Sequence, residues 1–175
     1  MDLDRDFTWV SKRLVEHEGC VLNPYRCPAG KLTIGVGRNI EDNPLSEKEK
    51  RALGDYMHGI TKNGALLLLR NDVERCLKDL RKKIEFWYDL DNERQYALLD
   101  MCFQMGYNGL SKFQNMLYCM KLKDYRSASY HCLDSSYAVQ TPKRAKRIAT
   151  LIKEGVWYRW KYGFIDQIKR LWNVR

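Results

Sequence analysis

Apolar residues recur at three- and four-residue intervals along most of this chain, with one short interruption near its start. Phe7, Val10, Leu14 and Val15 keep that spacing and predict an amphipathic helix over residues 4–17. Glu18 then stands at its C-terminal end, followed by Gly19, a common helix terminator. Between 20 and 38 the helical period lapses. Pro28-Ala29-Gly30 reads as a turn, because Pro presets φ and Gly tolerates positive φ. Thr33, Ile34 and Val36 favour a strand, while Gly35 and Gly37 permit close approach of a backbone or ligand.

Beyond this β region the helical period returns. Asn43-Pro44 marks a turn, and Ser46-Glu47-Lys48-Glu49 has the form of a capping box opening a short helix. The longest pattern runs over 61–84 and aligns Leu66, Leu69, Val73, Cys76, Leu77, Leu80 and Ile84 on one face. A helix over 92–105 turns Ala97, Leu98, Met101 and Cys102 inward, with a break at Gly106 and Gly109. Further helices fall near 111–121 and 124–133. Thr141-Pro142 suits an N-cap followed by Pro at the first helical position, and this helix runs to Gly155 with Ala145, Ile148 and Ile152 facing in. The tail, 163–175, reads as a basic amphipathic helix. We expect it to fold back on the protein, the alternative being contact with an anionic membrane or wall. The fold class is therefore α+β and mostly helical.

Composition narrows the partners more than the fold. With 175 residues, 45% of them hydrophobic, one domain with an ample apolar interior is expected. A net charge of +9 favours an anionic partner: nucleic acid, lipid surface or bacterial wall. The six cysteines (Cys20, Cys27, Cys76, Cys102, Cys119, Cys132) form no CxxC pair and sit near no histidine pair, so neither a metal nor another cofactor is expected. Cys20 and Cys27 are the pair closest in sequence should an oxidising compartment allow a disulfide. The acidic start, MDLDRDFTWV, has no apolar run, so we expect no signal peptide, synthesis in a reducing cytoplasm, and no membrane span. Nothing resembling heptads suggests assembly, and a monomer is expected.

The spacing Glu18, Cys27, Thr33, closed by Thr33-Ile34-Gly35-Val36-Gly37, resembles the catalytic signature of phage-type lysozymes (endolysins of the T-even phage family). Two further stretches resemble that family in the same order: Phe103-Gln104-Met105-Gly106, and Gln140-Thr141-Pro142-Lys143-Arg144-Ala145-Lys146-Arg147. The likeness covers roughly residues 5 to 162. It implies a lysozyme-like two-lobed fold: a small β-containing lobe (18–60), a connecting helix (61–84), and a helical lobe (85–162) with helix 4–17 packing near it.

The resemblance also implies an activity, hydrolysis of the β-1,4 bond between N-acetylmuramic acid and N-acetylglucosamine in peptidoglycan. Made in a bacterial host cytoplasm, such a protein acts on the wall after release. Glu18 takes the role of general acid; the helix dipole beside it disfavours its ionised form, and the charge of a paired Arg144 would oppose that effect. Arg144, from the first turn of the Thr141 helix, is expected to reach Glu18. Cys27 fills a position that many members give to Asp; a neutral thiol lends little electrostatic help unless its surroundings lower its pKa. Thr33 is expected to hold the attacking water. Motif position names Gln104, Tyr137 and Gln140 as substrate contacts, with Leu32 in the hairpin, and an amide inside Phe-Gln-Met needs a partner. Arg38 departs from the family's His, which belongs to a structural ion pair, so stability rather than chemistry is touched. Two other classes compete. One is a peptidoglycan-binding module that keeps the fold without catalysis, which Cys27 favours. The other is a basic nucleic-acid binder, for which only KRAKR (143–147) speaks, so no nucleic acid is expected.

Overall fold

The computed structural model of the chain describes residues 1–155, and the tail expected at 163–175 lies outside them. The fold is mostly helical α+β, as its periodicity predicts. The chain divides between Arg75 and Cys76 into two compact units.

The unit of residues 2–75 begins with α1 (Leu3–Glu18). Its N-cap, Asp2, accepts hydrogen bonds from the backbone N–H groups of Asp4 and Arg5, and the Gly19 N–H closes the last turn on the Val15 carbonyl. Three antiparallel strands follow in sequence order: β1 (Val21–Arg26), β2 (Leu32–Gly35) and β3 (Arg38–Asn39). Ile34 of β2 is fully buried and packs with Leu45, Ile60, Ala65 and Leu68. Helix α2 (Glu47–Leu53) carries the capping box in full. Ser46 Oγ accepts from the Glu49 N–H, and the Glu49 carboxylate accepts from the Ser46 N–H.

Helix α3 (Lys62–Lys83) matches the long helix in extent but not entirely in facing. Leu69, Val73, Leu77 and Leu80 are buried, whereas Leu66 is exposed. Ala65 and Leu68 take the inward positions of that first turn, one residue's rotation away from Leu66. Cys20 and Cys27 are free and stand at opposite ends of β1. A six-residue strand spans about 20 Å, far beyond the Cα separation of ~7 Å that a disulfide can bridge.

The second unit takes the rest of α3, then α4 (Asn92–Leu110), α5 (Gln114–Lys121), α6 (Tyr125–Leu133), α7 (Ser136–Gln140) and α8 (Pro142–Glu154). The break expected at Gly106 is a kink with φ 69 and ψ 168, after which the helix resumes to Leu110. Ala145, Ile148 and Ile152 of α8 are buried as their spacing predicts, and α8 packs against α4, α6 and α7. Trp87, Tyr96, Leu98, Leu99 and Met101 are all wholly buried, giving this unit large apolar side chains around α4. The Cys102 thiol of α4 hydrogen-bonds with Cys76 of α3, and this partner holds it below the ordinary thiol range. Thr141 precedes α8 but does not cap it. With φ −134 and ψ 64, its hydroxyl donates instead to the Tyr137 carbonyl at 3.0 Å and closes α7. None of the described helices is long and apolar enough to cross a membrane.

Candidate active site

The β1–β2 hairpin sets the geometry of Cys27 and Thr33. Tyr25 pairs with Thr33 and Arg26 with Leu32, and the Cys27 N–H bonds to the Lys31 carbonyl at 3.0 Å, so the register continues to Cys27 and Lys31. What remains is a loop of Pro28, Ala29 and Gly30. It is closed by the Gly30 N–H on the Cys27 carbonyl at 2.7 Å, with Gly30 at φ 77. A three-residue hairpin ending in a left-handed residue needs that glycine. Paired residues point to the same side and alternate residues repeat it. Tyr25, Cys27, Lys31 and Thr33 therefore share one face, and Leu32 belongs to the other.

That face is rich in donors around the Cys27 sulfur. Desolvation is the largest single influence on the thiol and pushes it up. Hydrogen bonds from the Lys31 and Ala29 N–H groups, the Thr33 hydroxyl and the Cys27 N–H outweigh it and hold the thiol below its ordinary value. Thr33 is buried, and its hydroxyl also donates to the Lys31 carbonyl at 3.1 Å. Its one proton thus serves either oxygen or sulfur. Tyr25 is half-buried, and its phenol is pushed up by burial first, then by the nearby charges of Cys27 and Glu18. Among the described residues its hydroxyl makes no hydrogen bond, and no sequence motif singled it out.

Arg26 and Glu41 brace the turn from the other side. The Arg26 guanidinium donates to the Gly30 carbonyl at 2.6 Å and to Glu41 at 3.1 Å. Glu41 also accepts from the Leu32 N–H at 3.1 Å. The Lys31 ammonium is tied to Asp42 at 2.9 Å.

Glu18 approaches from the end of α1. A Cβ placed on Gly37 would lie 3.3 Å from Glu18 Oε2 and 3.6 Å from its Cβ, and Gly37 has φ 70. Glycine at 37 is what lets the carboxyl lie against this backbone. Next to it, Arg38 is buried, with its guanidinium between two carboxylates. Nε donates to Asp72 Oδ2 and Nη2 to Glu49 Oε1, both at 2.8 Å. Asn71 adds a bond to Glu49 at 2.9 Å, and Arg75 also pairs with Asp72. Burial pushes the Arg38 guanidinium down, and Glu49 opposes that. At Glu49 desolvation pushes the carboxyl up, but bonds from Asn71, Ser46 and Arg38 prevail and bring it to about 2.

The remaining candidates lie in the second unit. Arg144 is buried on α8, its Nε donating to Asp100 Oδ1 at 2.6 Å, while the Tyr96 hydroxyl donates to Asp100 Oδ2 at 3.0 Å. Gln104 and Gln140 are exposed. Exposure on α4 leaves the Gln104 amide open to water or to a ligand. Tyr137 is buried, with its ring edge-on to Phe113 and its hydroxyl without a hydrogen bond in the described structure. Burial, the largest influence, pushes its phenol well up.

Comparison with known proteins gives the family. Residues 15–152 match the phage lysozyme family. Over 159 residues the chain is 31% identical to the pre-baseplate central spike protein Gp5 of Enterobacteria phage T4, which covers 83% of this chain but 28% of the spike protein. The probable T4-type lysozymes 2 and 1 of Dictyostelium discoideum are 27% and 28% identical, over 82% and 83% of this chain and 93% and 94% of theirs. The chain thus spans little more than a quarter of the spike protein and nearly all of either amoebal relative. The chain belongs to the phage lysozyme family, a family of muramidases.

Proposed function

We propose that this chain hydrolyses the β-1,4 bond between N-acetylmuramic acid and N-acetylglucosamine in peptidoglycan, with Glu18 as general acid. The observation that carries the reading is the meeting of α1 and the hairpin in one unit: Glu18 against Gly37, and Cys27 beside Thr33. Glycoside cleavage needs a proton for the departing oxygen and a second group on the other side of the sugar ring. Glu18 delivers the proton. Cys27, ringed by donors, is the second group, and its sulfur takes on more anionic character than an ordinary thiol. Thr33 holds the attacking water by its hydroxyl. Gln104 and Gln140, being exposed, are available to the glycan. By motif position Leu32 and Tyr137 are proposed as substrate contacts too, and Arg144, bonded to Asp100, as a supporting residue. The protein works as a single chain on the bacterial wall after release from the cytoplasm that made it, and the anionic wall suits its +9 charge.

Reducing ends released from purified peptidoglycan are the test. Wild type is expected to release them, and Glu18→Gln to lower the rate by about 10²–10⁴-fold with thermal stability unchanged. Wall binding without release by wild type, with or without reductant, would instead favour a binding module that has given up catalysis, the reading Cys27 supports.

A further inference from the structure

The hairpin face that carries Cys27 and Thr33 carries one more functional group, the phenol of Tyr25. Resting on the muramidase reading, we propose that Tyr25 is a saccharide-contacting residue. Its hydroxyl donates a hydrogen bond to an acceptor oxygen of the sugar, an N-acetyl carbonyl or a ring hydroxyl, on the side of the glycan that faces Cys27.

The argument begins with register. Tyr25 is the direct cross-strand partner of Thr33, and Cys27 lies two positions along the same strand line. All three side chains leave the hairpin on the same side. Tyr25 is half-buried rather than enclosed, so part of the side chain stays within reach of a ligand. Among the described residues nothing accepts its proton, although Cys27 and Thr33 beside it are engaged by several partners. An aromatic ring with a free polar tip is the side chain that best serves a saccharide, which offers an apolar ring face fringed by hydroxyls. Burial and the negative charge of its neighbours keep the phenol protonated, so it stays a donor wherever the enzyme works. The neighbouring groups complement that role, Glu18 as the acid and the thiol as an acceptor-like sulfur. Tyr25 supplies the neutral donor that the pair lacks.

The test pairs binding with turnover in the full-length chain. Binding of N-acetylglucosamine oligomers is measured on Glu18→Gln and on Glu18→Gln/Tyr25→Phe, and kcat and KM on soluble peptidoglycan fragments for wild type and Tyr25→Phe. Loss of one neutral hydrogen bond is expected to weaken oligomer binding about tenfold. KM should rise in parallel while kcat stays within about twofold, the pattern of a contact made equally in ground and transition states. Tyr25→Phe keeps the ring, so its Tm is expected to match wild type. Tyr130→Phe, on an exposed face of α6, is the control and should change neither. Oligomer binding that depends on Tyr25 in a wild type that cuts nothing would sink the hydrolysis and leave the sugar contact standing. Unchanged binding and KM in Tyr25→Phe would overturn the inference, as would a shift confined to Tm.

Discussion

The two units of this chain divide its charge unequally. Residues 2–75 carry 12 Lys+Arg against 12 Asp+Glu, while residues 76–175 carry 19 against 10, so the whole formal charge of +9 resides in the second stretch. In the first, Arg38 is buried between Glu49 and Asp72, which are buried as well, and it is bonded to both. In the second, wholly buried Trp87, Tyr96, Leu98, Leu99 and Met101 fill the interior, and among its described residues Glu93, Asp100 and Arg144 are buried too, Arg144 held by Asp100. The fully buried large side chains of the first unit are aliphatic, Leu14, Ile34, Leu68 and Leu69. A polar network with every member bonded can fix its register where packing alone would leave it loose. The helical unit buries aromatic side chains as well, and apart from Arg144 it leaves its described cations outside for an anionic partner.

The sharpest contrast between the units lies in two cysteines. Cys27 sits on a turn among donors that lower its pKa, whereas Cys132 is fully buried and pushed up to about 12 by desolvation. Thiolate, not thiol, reacts with alkylating agents. Iodoacetamide at neutral pH is expected to label Cys27 faster than a free model thiol and Cys132 only on unfolding. Peptide mapping after timed labelling would read both rates, and equal labelling of the two would break the comparison.

The next effect is on stability. Arg38→Met leaves Glu49 and Asp72 buried without their shared partner, and removing one member of a buried ion pair costs about 3–5 kcal/mol. Denaturant unfolding should show this loss, with hydrogen exchange placing it in residues 2–75 rather than in α4 or α8. A smaller effect follows from pH. Glu49 is depressed to about 2 from an ordinary value of 4.5, so its stabilisation is complete above the unfolded value and is lost as pH falls from about 4.5 towards 2. The full swing is about 3 kcal/mol. In Glu49→Gln that acid-limb slope should shrink, and an unchanged slope would place the acid sensitivity elsewhere.

Much of this was readable where the signal is local. The Ser46–Glu49 capping box, Gly19 after α1 and the Pro28–Gly30 turn each declare themselves within four residues, and each formed. The inward face of α8 followed from spacing alone. Signals that depend on distant partners did not announce themselves. Arg38 finds Glu49 and Asp72 at 11 and 34 positions away, and no local pattern names them. Helix α7 has five residues, too few for a period to emerge. Thr141-Pro142 looked like a cap, but the backbone leaving α7 set Thr141 at angles that turn its hydroxyl back to Tyr137. Tyr25 was missed for a related reason. Its place beside Cys27 and Thr33 depends on pairing register, and a one-residue slip would have sent it to the opposite face.

The turn that presents Cys27 bears on how such a site can drift over generations. Pro28, Ala29 and Gly30 are exposed, and the sulfur's hydrogen-bond partners are N–H and O–H groups that exist whatever side chain stands at 27. A carboxylate in that place would inherit the same partners, and the apolar cluster around Ile34 would not register the exchange. Selection can therefore try one acceptor against another at this position while the fold stays neutral to the outcome. The chemistry of the site is heritable separately from the architecture that carries it.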